Sequence, residues 1–125
     1  YALLSSQENF GYKYWWKDAW NIRYSSDTES ISSSDELYAL RIKGSLKQGY
    51  LVGFYYPDSP RNGEIDCQGN KRAYTHVAIF MGKNKNGKLV FDHQIGKKQE
   101  RKTLEELSDN YSMKPIEIIN PIEKI

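Results

Sequence analysis

At 125 residues the chain has the length of one domain, long enough to bury a core and too short for two. A net charge of +2 does not supply the clustered basic face that nucleic-acid binding needs, although a weak pull toward anionic surfaces remains. No apolar run is long enough to span a bilayer as a helix, and the lone Cys67 excludes an internal disulfide framework while leaving the redox compartment open. The aromatic fraction of 14%, led by ten tyrosines, is high and points to a surface that grips a partner. The chain starts at Tyr1, and "YALLSSQENF" lacks the basic flank and apolar core of a signal peptide. A removed export signal and a piece cut from a longer protein are the two readings of that start.

The first third is aromatic and irregular, with all three tryptophans in "FGYKYWWKDAWNIRY". Tyr12, Trp15 and Trp16 stand at helical spacing and read as a buried stripe with one ring lining a groove; a stacking platform for sugars or bases is the other reading. "SSDTESISSSDE" reads as a polar, serine-rich loop. Ser33 and Glu36 form a capping box before "LYALRI", which predicts a short helix. "LKQGYLVGFYYP" predicts a strand entered through Gly49 and stopped by Pro57.

"DSPRNGEIDCQGNKRA" has the composition of a long loop. "THVAIFM", the turn "GKNKNG" and "KLVFDHQ" then make the clearest hairpin in the chain, while "GKKQERK" reads as a solvated strand end or loop. A second capping box, Thr103 to Glu106, opens a helix through "LEELSDNY", and "PIEII" reads as a closing strand. The order predicts a single α+β domain over residues 1–125.

Centring the hairpin turn between Asn84 and Lys85 sets Met81 opposite Lys88 and His76 directly opposite His93. Both rings then share one face with Ala78, Phe80, Leu89 and Phe91, at the wet end of an apolar surface. Two imidazoles so placed suit a general base and the partner that holds its tautomer. The plain alternative is two polar residues where a sheet meets solvent. Two histidines and one cysteine fall short of a four-ligand zinc site, and Asp92 faces away from His93, so neither metal nor cofactor is expected.

The run "LKQGYLVGFY", "HVAIFMG", "LVFDHQ", "LEELSDNY" and the closing strand resembles the second half of the NlpC-type cell-wall peptidases, over residues 46–119. That resemblance implies a papain-like fold with a central antiparallel sheet and packed helices. His76 matches the family's general base in the strand usually written HVGIYIG, and His93 matches the polar residue on the next strand that orients it. Tyr50 stands where the family's GDL strand carries Asp. The related CHAP amidases share the same half-fold.

The family's nucleophile is a cysteine at a helix N-terminus upstream of these strands, where this chain has serines at "ISSSDELYAL". Three readings follow. Ser34, with Ser33 or Ala2 beside it as candidates, marks a substituted nucleophile; Cys67 in "EIDCQGN" is itself the nucleophile; or the domain is naturally inactive.

The resemblance implies a secreted or cell-envelope, periplasmic hydrolase that cleaves amide bonds of peptidoglycan stem peptides. The alternative from another class is a non-catalytic domain on the same scaffold that binds a wall peptide, a glycan or a protein. An acyltransferase of the circularly permuted branch is disfavoured, because no cysteine follows residue 67.

Overall fold

A computed structural model describes residues 46–65, 69, 71 and 76–120, together with the strand segments at 12–13, 27–30 and 123–124. The strands are β1 (Tyr12–Lys13), β2 (Asp27–Ser30), β3 (Leu51–Tyr55), β4 (His76–Lys83), β5 (Leu89–Ile95), β6 (Lys98–Thr103), β7 (Lys114–Asn120) and β8 (Glu123–Lys124); helix α1 (Leu104–Tyr111) lies between β6 and β7. Six strands form one antiparallel sheet in the order β2-β7-β3-β4-β5-β6, and β1 pairs separately with β8. Among the described residues this is an antiparallel sheet with one helix, an α+β arrangement, and no helix is long and apolar enough to cross a membrane.

Alternation decides which side chains meet the helix. Val52, Phe54, Ala78, Phe80, Leu89, Phe91 and Ile118 cluster with Leu104 and Leu107 of α1 and with Met113. The Phe91 ring is the hub of this layer, edge-on to Phe54 at 5.5 Å and tilted against Phe80 at 5.6 Å. Leu51, Ile79 and Ile119 are buried on the opposite face, so the central strands read as near-continuous apolar runs.

The predicted capping box is present. Thr103 Oγ1 accepts from the Glu106 N–H at 3.2 Å, and Glu106 Oε1 accepts from the Thr103 N–H at 3.0 Å. The helix stops at Ser112, which takes a left-handed φ of 55°, while the Met113 N–H donates to the Leu107 carbonyl. Met113 is thereby turned into the core below Leu107, and the chain enters β7 at a fixed angle. Pro115 is tolerated because β7 shifts register against β3 between Gly53 and Phe54, and because β2 pairs only with residues 117–120.

The structure corrects three expectations. Asp27–Ser30, read as loop, pairs with β7 at the sheet edge, where main-chain bonds form whatever the side chains are. "GKKQERK" supplies most of β6, a full edge strand on β5, because the two-residue loop Gly96 and Lys97 closes a tight hairpin with Gly96 at φ 58°. Tyr12 and Lys13 lie in β1. Trp15, Trp16 and the helix expected after Ser33 fall outside the described residues.

Hairpin β4–β5 turns on three residues, Lys85, Asn86 and Gly87, held by the Asn84 N–H to Lys88 carbonyl bond and by Asn84 Oδ1, which accepts from the N–H of Asn86 and of Lys88. Gly82 sits beside the Met81 irregularity at φ 109°, and a Cβ there would lie 2.5 Å from Nε2 of Gln48, which donates to the Met81 carbonyl. Gly87, at φ 75°, faces open space. Gly82→Ala should therefore cost about 2 kcal/mol or more, from backbone strain plus the lost Gln48 bond, and Gly87→Ala about 1 kcal/mol. Urea unfolding of the two variants checks this order; equal losses would contradict it.

Candidate functional site

At one end of the helix-facing layer the apolar side chains give way to polar ones. The first residue of β4, the far end of β5, the start of β6 and the last turn of α1 meet there, and Tyr56 follows β3 into the same corner. His76 lies opposite Phe54 across β3–β4, and His93 lies opposite Glu100 across β5–β6. Both pairs therefore face the helix side, where Tyr111 arrives from α1.

The contacts form a continuous chain. His76 Nε2 is 2.9 Å from His93 Nδ1, and His93 Nε2 is 3.2 Å from Glu100 Oε2. The Tyr111 hydroxyl donates to the same Oε2 at 2.7 Å, and Lys98 Nζ lies 2.9 Å from Oε1. The rings meet edge to face, with His76–His93 centroids at 5.1 Å, His93–Tyr111 at 5.6 Å and Tyr56–His76 at 6.2 Å. His93 is 1% exposed, whereas His76 is only half-buried and forms the accessible end.

Sequence reasoning expected His76 directly opposite His93. The observed register pairs Ile79 with Asp92 and, beyond the irregularity at Met81, Lys83 with Leu89. Counting on from Ile79, His76 faces Ile95 and sits diagonally from His93. The net displacement is two residues: a turn centred on Asn86 rather than between Asn84 and Lys85 shifts the pairing by three, and the irregularity at Met81 takes one back. Because the side-chain period is also two, the histidines keep a common face and their long side chains still meet.

Burial, and then the neighbouring His93, push the His76 pKa down from 6.5 to about 4. Burial also lowers the His93 pKa, against the opposing pull of Glu100. The Glu100 carboxyl is held down at about 2, chiefly by the Tyr111 hydroxyl and then by Lys98. At neutral pH the corner therefore holds two neutral imidazoles and one carboxylate.

Asp92 points to the other face, as expected, and pairs with Arg101 at 2.7 and 3.0 Å. Among the described residues no three His, Cys, Asp or Glu side chains are placed to hold a metal ion. Cys67 and Ser34 lie outside the described residues, although the chain to either side of Cys67 is closed by an isolated antiparallel bridge between Ile65 and Lys71. No family model, curated protein or solved structure matches the chain.

Glu100 was missed by sequence reasoning, because six polar residues in a row carry no apolar alternation to mark a strand. The usable signal was Gly96 one residue past Ile95, a two-residue hairpin loop that sets His93 and Glu100 opposite each other.

The depressed His76 pKa has a consequence for stability. Between pH 6.5 and about 4 the unfolded chain binds a proton at residue 76 that the folded chain refuses. Folded-state stability present above pH 6.5 is thus lost as pH falls through this window, by roughly 2 kcal/mol for a half-buried imidazole. Urea unfolding at stepped pH should give a shallower loss over this window in His76→Asn than in the wild type. Parallel curves would contradict the assignment.

Proposed function

We propose that the chain is a thiol-dependent hydrolase of papain-like, NlpC-type architecture that cleaves amide bonds of peptidoglycan stem peptides in the cell envelope. The observation that carries this reading is the hydrogen-bonded His76–His93 pair, with one ring accessible and neutral and the other buried and fixed. A general base must be held in one orientation and be unprotonated at working pH; the His76–His93 bond and the neutral His76 ring meet these needs, while the same burial leaves His76 with a lower proton affinity than the operating pH favours. The modest positive charge suits an anionic wall polymer.

Cys67 is the chain's single thiol and the nucleophile of this reading, with a substituted nucleophile at Ser34 as the other candidate. Cys67 precedes His76 by nine positions and lies in sequence between Ile65 and Lys71, which are bridged to each other, and Lys71, five residues from His76, is tethered within about 17 Å of it. In the first step His76 takes the Sγ proton, and the thiolate attacks the amide carbonyl carbon. Collapse of the tetrahedral oxyanion breaks the C–N bond, and the His76 proton passes to the leaving amine. Water then attacks the thioester, giving its proton to His76, which returns it to the departing sulfur; the products are a carboxylate and the restored thiol. His93 touches no reacting atom and acts by holding His76.

Purified protein incubated with soluble muropeptides should release new amino termini, detected by amine labelling and mass spectrometry. His76→Ala and Cys67→Ser should each lower the rate by about 1,000-fold. Full turnover in Cys67→Ser would move the nucleophile elsewhere. Muropeptide binding without cleavage by the wild type would favour the non-catalytic wall-binding domain.

A further inference from the structure

We propose that Glu100 is a positioning residue: acting through His93, it fixes the proton of His76 on Nε2 and leaves Nδ1 as the basic atom. The inference rests on the reading of His76 as a base, and it adds a residue on β6 that the resemblance does not assign.

A chain of hydrogen bonds acquires a direction from whichever end can only donate or only accept. Here that end is Glu100. Lys98 is a pure donor at Oε1, and the Tyr111 hydroxyl donates at Oε2. Both carboxylate oxygens are therefore acceptors, and His93 Nε2, at 3.2 Å from Oε2, must be the donor.

A neutral imidazole protonated at Nε2 carries its lone pair at Nδ1. His93 accordingly accepts at Nδ1 from Nε2 of His76, across 2.9 Å. His76 then has no proton on Nδ1, the ring nitrogen that has no bond to His93. Burial favours the neutral form of His93 on which this polarity depends.

Without the carboxylate the same two rings could bond equally well in reverse. Nδ1 of His93 would donate to Nε2 of His76, and the proton of His76 would sit on Nδ1, where it blocks base catalysis. The surroundings protect the chosen direction. The His93 side chain is fully enclosed and that of Glu100 is 7% exposed, so water does not readily replace either partner. Tyr111 is delivered by the last turn of α1, and its position follows from the stop at Ser112.

The test is long-range proton–nitrogen correlation of the imidazoles in the folded protein at pH 7, with kcat and KM measured on the same samples. In the wild type, His76 should be a single Nε2–H tautomer. In Glu100→Gln, whose amide can donate or accept, His76 should become a mixture of both tautomers, and kcat should fall about 100-fold or more with KM little changed. Glu100→Asp, which restores an acceptor, should recover the single tautomer and part of kcat.

An unchanged His76 tautomer in Glu100→Gln overturns the proposal. Should that variant not fold, the wild type alone decides, since an Nδ1–H tautomer of His76 overturns it equally. The spectra need no substrate, which separates the two claims. A tautomer that shifts in a protein without amidase activity keeps the positioning role and removes the hydrolase reading. Full activity with an unmoved tautomer does the reverse.

Discussion

A buried imidazole needs a partner for each of its nitrogens, and His93, enclosed beside the His76 and Tyr111 rings, imposes that requirement on the whole corner of the sheet around it. A missing partner would leave a buried polar atom unsatisfied at a cost of about 1–3 kcal/mol. Both demands are met by strand geometry. The β5–β6 register puts Glu100 opposite His93, and the bulged β4–β5 hairpin puts His76 on its other side. Helix α1 then closes the corner with Tyr111.

The apolar layer and the polar corner belong to one construction. Phe91 and His93 are two residues apart on β5 and so share a face, one at the centre of the core and the other at its rim. The same burial that anchors Phe91 removes solvent from His93 and lowers the proton affinity of both histidines. A neutral ring at the accessible end and a carboxylate at the enclosed end give the arrangement a polarity along its length. That polarity would leave a lone pair at the accessible end of the chain of hydrogen bonds, as the proposed role of His76 as a base requires. The carboxylate stands on an edge strand whose Lys98, Gln99 and Arg101 side chains are exposed.

Much of this was legible where the local chemistry is self-contained. The capping box at Thr103 and Glu106 located α1, Pro57 marked the end region of β3, and alternation around "HVAIFM" and "LVFDHQ" set the two histidines on one face. The register was not legible. A three-residue turn closed by Gly87 and an irregularity at Met81 replace the symmetric turn that the sequence suggests, and only the period-two geometry kept the pairing of faces. Strand β6 carried no hydrophobic signature, so its half-buried Glu100 came into view only through its cross-strand partner. Asp27–Ser30 is a strand because β7 offers an edge, a tertiary cause that a serine-rich stretch cannot announce.

The central proposal is that His76 serves as the base to the Cys67 thiol, and the reactivity of that thiol tests it most directly. Labelling of the folded protein with a cysteine-reactive probe across pH 5 to 9 should show rapid reaction well below the usual thiol pKa of about 8.5. That reactivity should disappear in His76→Ala. Slow labelling with an ordinary pH profile in both proteins would contradict the account.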